Sequence, residues 1–228
     1  MNLLEDGVLL IDKPADWTSF DVVAKIRGMR RAAFKAQGII PTKRQLKVGH
    51  AGTLDPFATG LLIILLGDAT KRSDEFLKQD KTYEATIHLG ATSTTGDIEG
   101  EITAVNSAIP AEQQVRAALD RFTGQITQTP PIYSAIKING QRAYKLARKG
   151  QEVEIPTRSV TIHSIELLDY VYPKVKIRTN VSSGTYIRSL AEDIGKELGV
   201  GAYCEELRRT TIGQFDVSDA ITPPVREN

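Results

Sequence analysis

The segment Val48-Gly49-His50-Ala51-Gly52-Thr53-Leu54-Asp55-Pro56-Phe57-Ala58-Thr59-Gly60 holds the densest set of side chains able to do chemistry. Three glycines, a proline and two threonines shape a loop just ahead of the apolar run Leu61 to Leu66, and a single carboxylate, Asp55, sits inside it. Pro56 bars helical geometry at the residue before it, so Asp55 projects from an extended turn. A lone carboxylate reached through basic sequence stays ionised, which suits a nucleophile better than a proton donor. The plainer alternative is an aspartate that only caps the turn before Pro56.

The elements around this loop decide between the two. The net charge of +1, from 29 Lys and Arg against 28 Asp and Glu, argues at first against a polyanionic partner. The charge is segregated, however. No acid lies between Asp21 and Asp55, a stretch with eight bases (Lys25, Arg27, Arg30, Arg31, Lys35, Lys43, Arg44, Lys47). None lies between Asp120 and Glu152, where six occur (Arg121, Lys137, Arg142, Lys145, Arg148, Lys149). Such windows can hold a phosphate backbone whatever the total. The chain of 228 residues is 41% hydrophobic and 25% charged, the composition of a globular domain with a substantial core. Leu61 to Leu66 is too short to cross a bilayer. The N-terminus has no basic start or cleavage site of a secretory signal, so a soluble, cytoplasmic protein is expected. One cysteine, Cys204, excludes an internal disulfide and any multi-cysteine zinc site.

Gly7 to Ile11 reads as a buried strand ending at Asp12-Lys13-Pro14. Thr18 and Asp21 have capping-box spacing for a helix that buries Val22, Val23, Ile26 and Met29 and exposes Lys25, Arg27, Arg30 and Arg31. Gly38 to Thr59 reads as loop, the run after it as a central strand, and Ala69 to Lys78 as a helix. Lys81 to Leu89 alternates, with Tyr83, Ala85, Ile87 and Leu89 on one face. A helix over Ala111 to Phe122, strands over Ser134 to Ile138, Val160 to Val171 and Val175 to Val181, and a helix through Ile187, Leu190, Ala191, Ile194 and Leu198 complete the pattern. Without a regular βαβ rhythm, the expected fold is α+β, with a mixed, mainly antiparallel central sheet flanked by helices and loops. No linker is evident, so residues 1–228 are read as a single domain.

The loop GHAGTLDPFATG resembles the catalytic motif of the TruB family of pseudouridine synthases. Further segments resemble that family in the same order: Gly7-Val8 through Asp12-Lys13-Pro14 with Trp17-Thr18-Ser19, then Lys81-Thr82-Tyr83-Glu84-Ala85, Thr94-Thr95-Gly96-Asp97, and Gln128 through Ala135. Gly184-Thr185-Tyr186-Ile187-Arg188-Ser189-Leu190 and Leu207-Arg208-Arg209-Thr210 close the series.

The resemblance implies the pseudouridine synthase fold and isomerisation of uridine 55 in the T-loop of tRNA. The C1′–N1 bond breaks, the base turns, and it reattaches through C5, with no cofactor, no metal and no obligate protein partner; a monomer without membrane association is expected. It makes Asp55 the nucleophile and Arg188 its pairing partner. Tyr83 would stack on the target base, and its hydroxyl is a candidate for handling the C5 proton. His50 would insert into the RNA loop and hold the base flipped out. Leu207 would wall the base pocket, Lys13 with Pro14 would form a structural motif near the site, and Tyr186 would support Arg188. Core packing is the alternative for Tyr83, and a surface position for Arg188. Residues 124–150 correspond to the family's RNA-binding insertion, whose Arg142, Lys145, Arg148 and Lys149 would meet phosphates. A C-terminal accessory RNA-binding domain found in many members is expected to be missing, and the basic stretch Gly28 to Lys47 reads as an additional RNA-contacting loop. Guide-dependent or other-RNA synthases, and a non-catalytic RNA-binding or tRNA-folding protein, are the competing readings. A Lys145/Arg148/Lys149 triple-alanine variant is predicted to bind tRNA more weakly with a flatter salt dependence, while turnover of pre-bound tRNA survives. Binding isotherms across a salt series check this.

Overall fold

The computed structural model describes residues 2–131, 137–138, 141–142 and 155–223. In chain order the elements are β1 (Gly7–Lys13), α1 (Ser19–Ala36), β2 (Val48–Ala51), β3 (Thr59–Leu66), a 3₁₀ turn (Gly67–Arg72), α2 (Ser73–Leu77), β4 (Lys81–Leu89), β5 (Ala91–Ser93) and β6 (Ile102–Ala104). There follow α3 (Glu112–Arg121), β7 (Gly124–Gln128), the short strands β8 (Lys137–Ile138) and β9 (Gln141–Arg142), β10 (Arg158–Val171), β11 (Lys174–Val181), α4 (Ile187–Glu197), β12 (Ala202–Ile212) and β13 (Phe215–Asp216). The fold is α+β, with mainly antiparallel pairing. No helix among the described residues is long and apolar enough to cross a membrane. The chain packs as two compact units, Met1–Tyr83 with Arg208–Asn228, and Glu84–Leu207, and passes from one to the other within β4 and β12.

The first unit is built on β3. Its Gly60 to Leu66 run is buried throughout because β3 pairs with three strands. It is antiparallel to β1 (Gly7↔Leu66 to Lys13↔Gly60) and to β2 (Val48↔Leu66 to Ala51↔Ile63), and parallel to β12 at Arg208↔Thr59 and Arg209↔Gly60. A strand enclosed in this way reads as a continuous apolar run rather than an alternating one. At Gly60, φ is 102°, and a Cβ there would lie 2.2 Å from the Arg209 carbonyl oxygen, so only glycine lets β3 start this close to β12.

Helix α1 begins as its sequence signals. Thr18 accepts from the Asp21 amide while the Asp21 carboxylate accepts from the Thr18 amide, a complete capping box. Val22, Val23 and Ile26 are buried as expected, but Arg30 is not on the exposed side. It is fully buried and donates to the carbonyls of Gln45 and Glu5 and to the Asp6 carboxylate (2.7 Å), with its guanidinium 5.5 Å from the Phe34 ring centre. Helical spacing puts Arg30 four residues after Ile26, on the inward stripe, and the carbonyls of the chain before β1 and before β2 supply its partners. Arg44 likewise pairs with Asp68. Two of the eight bases in the first window are therefore answered by acids outside it. The stretch read as loop also contains β2, which four residues with two glycine or alanine positions did not announce.

In the second unit the strand order is β4, β11, β10, β7, with β10 antiparallel to both β11 and β7, and β5 pairs antiparallel with β6. Ala85, Ile87 and Leu89 are buried on the face expected from the alternation of β4. Helix α3 buries Val115, Ala118 and Leu119, and α4 buries Ile187, Leu190, Ala191 and Ile194. Strands β10 and β11 turn at Tyr172-Pro173, as the pattern implied, and Gly199 (φ 70°) follows the end of α4. Replacing Arg30 by Met is predicted to cost about 3 kcal/mol in urea unfolding, because the Asp6 carboxylate and the bound carbonyls lose their donor. Asp6→Asn should cost less, since the Asp6 side chain is 37% exposed.

Candidate active site

Asp55 is half-buried, and its neighbours explain why it is presented at all. Leu54, Phe57 and Ala58 are buried to 3%, 8% and 0% exposure and anchor the loop inward on both sides of the carboxylate. The main chain is then pinned from separate segments. Ser19, at the first turn of α1 and 2% exposed, makes a reciprocal pair with Leu54: the Leu54 amide donates to Ser19 Oγ (2.9 Å) and the hydroxyl donates to the Leu54 carbonyl (3.2 Å). Lys13, at the end of β1 and fully buried, donates its ammonium protons to the carbonyls of Pro14 (2.8 Å), Trp17 (2.6 Å) and Pro56 (3.1 Å). Three donors on a tetrahedral head suit three converging carbonyls. The Pro56 carbonyl also accepts from the Asp16 amide (2.9 Å), for which Asp16 adopts φ 64°. Aspartate is among the few non-glycine residues that enter this left-handed region readily. The Asp55 carbonyl closes the turn by accepting from the Ala58 amide (3.2 Å).

His50 lies on β2, half-buried, and pairs in register with Ile64. Burial, and then the Arg209 guanidinium, push its imidazole below the usual histidine range, and its Nδ1 is buried with no hydrogen-bond partner among the described residues. The ring is therefore neutral at physiological pH. Tyr83 is 7% exposed on the inward face of β4, so it is largely a packed side chain in its unit. Beside it on the strand, Lys81 is 7% exposed and donates to the carbonyls of Leu77 (3.0 Å) and Gln79, closing the end of α2. The alternating strand β12 sends Arg208 to Asp12 (2.7 Å) and Arg209, 1% exposed, inward.

The remaining expected residues belong to the second unit. Arg188 lies in the first turn of α4 at 4% exposure, which rejects a surface arginine. Its Nη1 donates to the Thr95 carbonyl (2.8 Å) and to Asp97 Oδ2 (2.9 Å). Asp97 is itself 2% exposed, and its other oxygen accepts from Thr95 Oγ1 and from the Glu99 amide (3.0 Å). The carboxylate is thereby satisfied on both oxygens and fixes the arginine. Tyr186 is held at its main chain by the fully buried Gln128, whose amide group donates to the Tyr186 carbonyl (2.9 Å) and accepts from its N–H (2.8 Å). Its ring lies 4.5 Å beneath the Arg158 guanidinium, a cation–π arrangement. Leu207 is 8% exposed in the middle of β12. Arg142 falls on β9, paired at the main chain with Lys137; Lys145, Arg148 and Lys149 lie outside the described residues, as does most of the strand expected over Ser134 to Ile138.

The structure thus brings Lys13, His50 and Asp55 together in one unit and Tyr186 and Arg188 in the other. It adds Ser19, Arg209, Asp97 and Gln128, none of which the sequence reading gave a role. Each lies inside a quoted motif, so the signal was present, but the partner that makes each matter is distant in the chain.

Residues 39–187 match the family model described as TruB family pseudouridylate synthase (N terminal domain), which spans well over half of the chain. The chain belongs to the TruB family. Residues 188–223 match a second TruB model, the tRNA pseudouridylate synthase B C-terminal domain. Among curated TruB relatives, the tRNA pseudouridine synthase B of Phocaeicola vulgatus is 47% identical, covering 97% of this chain and 92% of the relative. That of Parabacteroides distasonis is 46% identical, covering 98% and 92%. Of solved structures, a chain of a Cbf5-Nop10-Gar1 complex matches with a TM-score of 0.69 and 31% identity over 97% of this chain. An H/ACA RNP bound to a substrate RNA containing 2′-deoxyuridine matches with a TM-score of 0.66 and 29% identity over 96%. This chain spans about half the length of those two solved chains.

Burial and Arg209 lower the Lys81 ammonium from 10.5 to about 8. Between those values the unfolded chain binds the extra proton and the folded one does not, so stability rises with pH across that window. Wild-type unfolding free energy minus that of Lys81→Met is predicted to climb by roughly 2–3 kcal/mol from pH 8 to pH 10.5, measured by urea titration.

Proposed function

We propose that this chain isomerises a uridine to pseudouridine in the T-loop of tRNA, at position 55, with Asp55 as its nucleophilic carboxylate. The observation that carries the reading is the pinned loop: a half-buried aspartate on a main chain held on both sides by Lys13 and Ser19. Family membership and the names of the TruB relatives support the reaction class. A carboxylate fixed before substrate arrives needs no reorganisation when positive charge develops on the ribose as C1′–N1 breaks. The bonding pair leaves with N1, the base turns, C5 bonds to C1′, the C5 proton departs and N1 gains one. No atom is gained or lost overall.

A base stacked inside a folded T-loop must leave the stack first. A neutral, amphipathic imidazole at His50 suits the vacated stack better than a charged one would. Arg188, oriented by Asp97, supplies a fixed guanidinium for carboxylate recognition, and Tyr83 the aromatic face for the base. Leu207 serves as an apolar wall for the base, Tyr186 supports Arg188, and Arg142, Lys145, Arg148 and Lys149 serve the phosphates. In this reading the protein works in the cytoplasm as a monomer on tRNA alone.

The test is an unmodified tRNA transcript tritiated at uridine C5. The wild type should release one tritium per T-loop uridine converted, and Asp55→Asn should release none, a loss of at least about 10⁴-fold in single-turnover rate. Absence of release by the wild type on any tRNA would overturn the catalytic reading. Release only on adding a guide RNA would replace it with a guide-dependent synthase.

A further inference from the structure

Both ends of the segment that carries Asp55 meet one buried side chain. Arg209 Nε donates to the Leu61 carbonyl (2.7 Å), and its Nη2 donates to the Gly52 carbonyl (3.0 Å). The residue is 1% exposed, and it lies on β12, far from the loop in sequence. Gly52 has φ 98°, and a Cβ there would touch Arg209 Nη1 at 3.4 Å, so the loop lies directly against the guanidinium. At the far end Gly60 is bare so that the Arg209 main chain can pair with it. The same residue therefore ties the loop to β12 through its side chain and through its main chain.

We infer that Arg209 is the positioning residue of the Asp55 loop, clamping Gly52 and Leu61 so that the eight-residue span between them has a fixed length and direction. This rests on Asp55 being the reactive carboxylate. A planar fork with N–H groups at fixed angles can reach two carbonyls at once; a lysine ammonium on a flexible stem is a point donor. The desolvation of a permanent cation makes the arrangement stiff, because either carbonyl leaving would strand buried charge. The guanidinium also stands near His50, which shares the unit, and helps keep that imidazole neutral. The clamp thus sets the loop's geometry and adds to the burial that keeps the histidine on β2 neutral.

The test compares Arg209→Lys and Arg209→Gln with the wild type in three readouts. In folded variants, single-turnover kcat is expected to fall about 10²-fold with tRNA affinity unchanged, the signature of misplaced geometry rather than lost binding. His50, followed by NMR titration, should move up toward the ordinary histidine range in Arg209→Gln. In the wild type, the Arg209 Nε–H should exchange slowly with solvent, a measurement that holds even if neither variant folds. Folded variants with wild-type kcat, or an Nε–H exchanging at the solvent rate, would overturn the clamp. An active Asp55→Asn would instead remove the reading beneath it, while the exchange and titration data still report on the clamp itself.

Discussion

A cation sealed away from water and met by main-chain carbonyls is a demanding arrangement, and the Asp55 loop is built on two of them. Stripping an ammonium or guanidinium of water costs several kcal/mol unless its donors are met. Lys13 meets that cost with carbonyls of Pro14, Trp17 and Pro56, and Arg209 with those of Gly52 and Leu61. The dependence runs both ways. Those carbonyls cannot turn toward solvent without stranding a charge, so the loop around Asp55 is confined to one conformation. Leu54, Phe57 and Ala58 remove the remaining freedom by filling the interior on either side.

Concentrating cations has electrostatic consequences. Arg209 lowers both Lys81 and His50 from their ordinary values, though in each case burial is the larger cause. A neutral His50 is an aromatic surface rather than a charge, which suits contact with bases more than with phosphates. In the second unit the same economy of fixed partners holds Arg188 through Asp97 and the Tyr186 main chain through Gln128. There the partners are a carboxylate and a side-chain amide, and both are nearly or fully buried.

Much of this was legible in the chain. The capping box at Thr18 and Asp21, the alternation from Tyr83 to Leu89, and the apolar stripe of α4 are local patterns, and each produced its element. Asp55 stood out because Pro56 and the flanking glycines mark a shaped loop around one acid. The residues that hold the loop's main chain from elsewhere in the chain did not stand out. Ser19 finds Leu54 thirty-five positions away, and Arg209 finds Gly52 at a separation of 157. Residue type gave no hint either: Arg30 and Arg209 look like surface charge in a basic stretch or strand, yet both are sealed inside because carbonyls happen to converge on them. Exposure of a charged residue is a statistical expectation. Convergence of distant carbonyls overrides it and is written only in the fold.

The central claim is that the Asp55 loop is fully formed before any RNA arrives, and the Leu54 amide reports on it most directly. That N–H is held by the buried Ser19 hydroxyl at the heart of the loop. Hydrogen exchange measured on the RNA-free protein should show the Leu54 amide as slow as the amides of β3, with tRNA adding nothing. Exchange as fast as an open loop in the free protein, slowing only when tRNA binds, would contradict a preformed site.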